Sequence, residues 1–386
     1  MIFFIILGII AGTIAGLIPG IHSNNISLIL LASPLFGFEA MFFTLSMCIT
    51  QSFVDFLPSI FLGAPDTETF EGVLPGHKMF IEGKGFEAIC LTVFGGIVAV
   101  FVGLLLTGFF SIFLNDYWEI LKYSIPIILF FVLGVIIISE NNFKKKLIVI
   151  FVICAAGTQG LLFENQIFPL IVGYFGIPTI IYSINKIPKK IKQKAIAEIE
   201  IRSLLDGLVG TIGGMLVAIL PGIGSNLAAA VIRTFKQKIS TKNYLVLLGS
   251  INTSAFFFSF IVLFVIKKTR NGAMIVLREQ IFFITEEFNS GIAVMILSAG
   301  IAGIITIYLS KKIINFFSEK KVKTLSLFSI IVMVTSVFLF NGFYGLFVLL
   351  FSGALGLFVV IKKINRSSCL SSLIVPTILF YLFVLY

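Results

Sequence analysis

The sequence predicts an all-α polytopic membrane protein built from two repeat halves, each with a helix broken inside an apolar region. Composition is the first ground. Over 386 residues the chain is 58% hydrophobic and only 12% charged, with a mean hydropathy of +1.12, more apolar surface than a soluble core of this length needs. The second is a series of apolar stretches of about 17–25 residues, the length that crosses a bilayer. The third is a repeat. Pro19-Gly20-Ile21-His22-Ser23-Asn24 returns as Pro221-Gly222-Ile223-Gly224-Ser225-Asn226, an offset of 221 − 19 = 202 residues.

The same offset sets Gly8 on Gly210, Gly12 on Gly214 and Gly16 on the equally small Ala218. It also sets Ile49-Thr50-Gln51-Ser52 on Ile251-Asn252-Thr253-Ser254. The expected organisation is a first half over 1–184, a basic linker over 185–203 and a second half over 204–386. Paired interruptions of apolar segments in two related halves are the best sequence pointer to a transporter's substrate site.

In chain order the expected spans are 2–18, 41–62, 86–113, 120–139, 147–162, 166–184, 204–220, 243–266, 288–309, 324–340, 342–360 and 370–386. The first lacks a basic n-region and a clear cleavage site, so it reads as a retained helix rather than a signal peptide. Two shorter segments, 22–36 and 223–236, follow the Pro-Gly breaks. Each is too short to cross comfortably and fits a half-helix or re-entrant hairpin, which protein or a watery cavity must surround.

The net charge of +10 comes from short basic runs between spans, not from a nucleic-acid-binding surface. Lys144-Lys145-Lys146, the linker from Lys186 to Arg202, Lys311-Lys312 with Lys320-Lys321, and Lys362-Lys363 with Arg366 are placed in the cytoplasm by the positive-inside rule. Lys267-Lys268-Thr269-Arg270 is separated from Lys311 by a single span, so it falls on the other side. An inverted repeat reconciles these runs: the loop from Pro65 to Gly85 faces the cytoplasm, and Lys267 to Arg278 faces outward or inward to a cavity. The protein is expected in the cell membrane, among its lipids.

Chemistry-bearing residues cluster at the repeat. Proline has no N–H and glycine permits unusual backbone angles, so Pro19-Gly20 and Pro221-Gly222 break their helices. Ser23, Asn24, Ser225 and Asn226 suit the N-cap of a resuming helix, whose free N–H groups favour a carboxylate or phosphate. His22, where the other half has Gly224, is a ligand, titrating or capping candidate. Gln51, Ser52, Asn252, Thr253 and Ser254 put polar side chains inside apolar spans, where they need partners: another helix, a substrate or an ion. Thr50 and the intramembrane carboxylate Asp55 are ion-coupling candidates; the counterpart of Asp55 is Phe257. Pro65, Asp66, His77, Lys267 and Arg270 are loop candidates. The two histidines and four cysteines show no metal-ligand spacing, so no metal site and no cofactor beyond a coupling Na⁺ or H⁺ is expected. Gly-x-x-x-Gly at Gly8, Gly12 and Gly16, and again at Gly210 and Gly214, reads first as close helix packing.

Together these motifs resemble the large membrane subunit (TctA) of the tripartite tricarboxylate transporter family, its archaeal members above all. The resemblance rests on the Pro19 and Pro221 motifs and on the segment from Ala64 to Glu87. Within that segment it is carried by Pro65-Asp66, Leu74-Pro75-Gly76-His77-Lys78 and Glu82-Gly83-Lys84-Gly85-Phe86-Glu87. The loop after Pro65 departs from the bacterial members' Pro-Gly-Glu form. The resemblance implies a secondary transporter of di- and tricarboxylates, driven by an ion gradient, working with a small membrane subunit and an extracytoplasmic binding protein.

The leading expectation is a carrier of an organic anion by alternating access between the halves, coupled to Na⁺ or H⁺. Self-association is compatible with it. The alternative keeps the architecture and moves a polyprenyl phosphate, a lipid-linked phosphate that Lys267, Lys268, Arg270 and Arg278 could meet. An intramembrane enzyme would need a catalytic motif, and neither His-Glu-x-x-His nor Gly-x-Ser-x-Gly is present.

Overall fold

The computed structural model describes residues 1–18, 23, 26–27, 35–62, 70–140, 142–183, 193–220, 223–236, 239–269, 271–314 and 319–385. The described residues form helices and connections, with no strand among them. In the first half these are α1 (Ile2–Leu17), α2 (Phe38–Val54), α3 (Phe56–Leu62), α4 (Phe70–Ile81), α5 (Gly85–Ile138), α6 (Phe143–Leu162), α7 (Ile167–Ile171), a π-helical turn (Val172–Gly176) and α8 (Ile177–Ser183). The second half holds α9 (Ser203–Ile219), α10 (Ser225–Phe235), α11 (Thr241–Ile266), α12 (Gly272–Gln280), α13 (Thr285–Ile314), α14 (Glu319–Lys362), a 3-10 turn (Arg366–Leu370) and α15 (Ser371–Leu385). Among the described residues seven helical segments are long and apolar enough to cross a membrane, so the chain is a multi-pass membrane protein. The expected spans 2–18, 166–184 and 204–220 fall on shorter apolar helices, Ile2–Leu17, Ile167–Tyr182 and Ser203–Ile219.

Element bounds follow the 202-residue offset. Shifted by it, α1 ends at 17 + 202 = 219, the last residue of α9, and the start of α4 becomes 70 + 202 = 272, the first residue of α12. The start of α5 becomes 85 + 202 = 287, two residues into α13.

Two expected pairs of spans are fused. Helix α5 covers both 86–113 and 120–139 in 54 residues, which would be about 81 Å long if straight, far beyond a hydrocarbon core of about 30 Å. It doubles back instead. Glu87 near its start pairs with Lys242 at the start of α11. Asn115, Trp118 and Lys122 share a cavity with Ile266 and Lys268 at the end of α11. Phe131 then stacks with Phe235, ring centroids 6.5 Å apart, beside Lys236, which pairs with Asp206 in the first turn of α9. Pro126 lies in the returning arm. Helix α14 covers 324–340 and 342–360, and its hinge is Gly342 at φ 61°, ψ −159°, a conformation open to glycine.

Small residues set the helix contacts. A side chain at Gly8, Gly12 or Gly16 would collide with α2, at Ser46, Met47 and Val54. One at Gly210 or Gly214 would collide with α11, at Leu247 and Ser254. Helix α5 runs parallel to α11, with Thr92 on Gly249, Gly96 on Thr253 and Gly103 on Phe257; the Phe110 and Phe258 rings lie 4.9 Å apart. Against α13 it runs antiparallel: Val93 and Ile97 face Gly303, while the Lys311 ammonium lies 5.5 Å from the Phe86 ring centre. Helices α2 and α11 are buried along their whole apolar windows and form the centre of the molecule.

Candidate functional site

Both helix breaks follow from the prolines. A residue before proline is pushed out of the α region by the ring. Ile18 before Pro19 accordingly has φ −104°, ψ 105°, and Leu220 before Pro221 has φ −88°, ψ 111°. Helices α1 and α9 therefore stop one residue short of each motif. Pro19, Gly20, His22, Asn24, Pro221 and Gly222 lie outside the described residues, as do Pro65, Asp66 and Arg270. In the second half α10 resumes at Ser225, with Gly224 rather than Ser225 in the cap position and no side chain capping it. Ser225 and Asn226 thus form the first turn of α10, both buried.

The two polar clusters meet where α2 crosses α11. The Ser52 and Thr253 hydroxyls lie 3.2 Å apart. The Asn252 side-chain amide donates to the Ser52 carbonyl oxygen at 3.1 Å and to Asp55 Oδ2 at 3.2 Å. The two clusters matched by the sequence offset are thus brought together in space, although no bonded pair is itself an offset pair. Asp55 sits at a local interruption between α2 and α3. Pro58 has no N–H to offer the carbonyl of Val54, four residues earlier, so the helix is disturbed there. In the second half Phe260 stands at the matching position and α11 runs on unbroken.

The first half's break touches this crossing. The Ser23 N–H donates to Gln51 Oε1 at 2.7 Å, which fixes the Gln51 amide. Three fully buried polar atoms are then left without a hydrogen-bond partner among the described residues: Gln51 Nε2, Thr50 Oγ1 and Asn252 Oδ1. Gln51 Nε2 is a donor, suited to an anionic oxygen. Asn252 Oδ1 is an acceptor and lies on the same side chain that reaches Asp55, an arrangement suited to a cation or a proton. Unpaired buried polar groups are costly; further such atoms lie elsewhere among the described residues. Ser254 is turned away from it, with its hydroxyl bonded to the Ser250 carbonyl at 2.6 Å and packed on Gly214.

The described loop candidates lie elsewhere. His77 is buried on α4, its Nδ1 2.9 Å from the Ile60 carbonyl oxygen. Burial pushes its pKa below the ordinary value, against the opposing pull of that carbonyl. Lys267 ends α11 in a left-handed conformation, exposed, with its ammonium over the Phe283 ring. Buried carboxylates that sequence reasoning passed over are Glu87, paired with Lys242, and Asp206, paired with Lys236. Each stands in the first turn of an apolar helix, a position that would have flagged them. Glu287 is buried and accepts the Phe282 N–H at 2.9 Å, capping the start of α13. Among the described residues no three His, Cys, Asp or Glu side chains group as metal ligands.

An uncharacterised protein of Methanocaldococcus jannaschii is 32% identical over 392 residues, covering 98% of each chain. No solved structure matches the chain. The tripartite tricarboxylate transporter TctA family matches residues 2–371. The chain belongs to that family.

Proposed function

We propose that the protein is a secondary transporter that moves an organic anion of the carboxylate class by alternating access, with Na⁺ or H⁺ coupled through Asp55. The observation that carries this reading is the set of buried, unpartnered atoms at the α2–α11 crossing. The Gln51 amide supplies a donor for a carboxylate oxygen. The Thr50 hydroxyl and Asn252 Oδ1 supply polar atoms beside Asp55 for the coupling ion. Ser52 and Thr253 tie the halves at the same level, so a rocking motion of one half against the other would open this site in turn to each side. The antiparallel course of α5 and its offset counterpart α13 supports an inverted arrangement. Family membership supports the carboxylate class, and work alongside a small membrane subunit and an extracytoplasmic binding protein.

The test is uptake of labelled di- and tricarboxylates into proteoliposomes under imposed Na⁺ or proton gradients. Uptake should be lost in Gln51→Leu and Asn252→Leu, and in Asn24→Leu and Asn226→Leu beside the helix breaks. Asp55→Asn should retain substrate exchange and lose gradient-driven accumulation. Wild-type accumulation in these variants would sink the assignment.

A further inference from the structure

A second concave site lies at the far end of α11, where α5 doubles back and α15 approaches. This cavity, of about 490 Å³, is lined by Asn115, Trp118, Lys122, Lys268, Phe380 and Tyr381, among others. Its volume suits a small ligand. It sits at the opposite end of α11 from the Glu87–Lys242 pair.

Charge and shape define what would fit. Lys122 is paired with Glu119, which also lines the cavity. Lys268 is exposed and makes no ion pair among the described residues. The lining therefore carries two ammonium groups against one carboxylate and is left net positive. Beside Lys268 stand an indole and a phenol, side chains with an apolar body and a polar tip. Phe380 supplies an apolar wall. Aromatic residues with lysines at a span's end mark the level of lipid headgroups.

We infer that this cavity is an anion site separate from the central crossing, taking a phosphate or carboxylate head against Lys268 and Lys122, with its apolar portion against Phe380 and Trp118. Two sources share that chemistry: a soluble organic anion, or the headgroup of an acidic membrane lipid.

Trp118 is the chain's single tryptophan, so intrinsic emission reports on the cavity directly. One arm titrates the purified full chain in neutral detergent with succinate, citrate and inorganic phosphate. The other places it in phosphatidylcholine nanodiscs with a rising share of phosphatidylglycerol. A saturable emission change in one arm is expected, and the arm identifies the source. Lys268→Ala should weaken half-saturation about tenfold, the loss of one charged contact, while Lys268→Arg retains it. Lys122→Gln, at the cavity's other ammonium, provides a second variant with the same expected direction. No saturable change in either arm, or an unaltered response in both Lys268→Ala and Lys122→Gln, overturns the inference. Asn252→Leu, compared in samples whose circular dichroism matches the parent protein, disables the central crossing and should leave this titration unchanged; loss of the signal in that folded variant would assign it to the crossing and overturn the second site.

Discussion

Replacing Asn252 with alanine tests the crossing of the two halves most directly. The Asn252 amide holds a neutral acceptor, the Ser52 carbonyl oxygen at 3.1 Å, and a carboxylate, Asp55 Oδ2 at 3.2 Å. A neutral hydrogen bond contributes about 0.5–1.5 kcal/mol and one to a charged group about 1.5–3 kcal/mol. Asn252→Ala should therefore destabilise the folded protein by about 2–4 kcal/mol. In an Asp55→Asn background the charged bond has already been weakened, so the same substitution should cost about 1–2 kcal/mol less. The assay is a double-mutant cycle in mixed micelles, with denaturation by sodium dodecyl sulfate followed through Trp118 emission. Additivity within about 0.5 kcal/mol would show that Asn252 does not reach Asp55 in the folded protein. Ion coupling at that pair would then lose its geometric basis.

Gly95→Val should separate α5 from α11 and cost several kcal/mol, because a side chain there meets the Val246 carbonyl. Gly108→Ala on the open face of α5 should instead stabilise by about 0.5–1 kcal/mol, and equal thermal midpoints for the two variants would contradict this packing. For His77 the pKa in the folded state is lowered from 6.5. The unfolded chain therefore binds a proton as pH falls through about 6.5 while the folded chain does not, and stability should drop on acidification toward the folded value. His77→Gln should flatten that slope, and an unchanged pH profile would refute a buried neutral imidazole. Single cysteines at Lys84 and Lys268, with the exposed Cys154 replaced, should be labelled by impermeant reagents from opposite sides of the membrane. Labelling of both from one side would refute the inverted arrangement.

The sequence by itself determined the membrane class, through composition and span length. It also determined where α1 and α9 end, because the residue before proline is disfavoured in the α region and the glycine after it offers no helix support, although Pro126 and Pro376 are carried inside helices. The repeat offset was legible from Pro-Gly motifs and Gly spacing, and it predicted which polar clusters correspond. That Thr253 meets Ser52 and Asn252 meets Asp55 was not legible, since correspondence in sequence carries no information on which helices cross. The doubling back of α5 was legible as two expected spans, 86–113 and 120–139, on either side of Asn115-Asp116; that the returning arm reaches Phe235 at the end of α10 was not. The pairs Glu87–Lys242 and Asp206–Lys236 join residues far apart along the chain, and only the packing of α5, α9 and α11 brings them within reach. Ser254 illustrates the converse. Its position in the motif suggested a ligand contact, but close packing on Gly214 turns its hydroxyl back onto its own helix. Local backbone chemistry fixed where the chain breaks, and the tertiary structure alone decided which broken pieces face each other, because buried polar partners are chosen by packing across helices rather than by spacing along them.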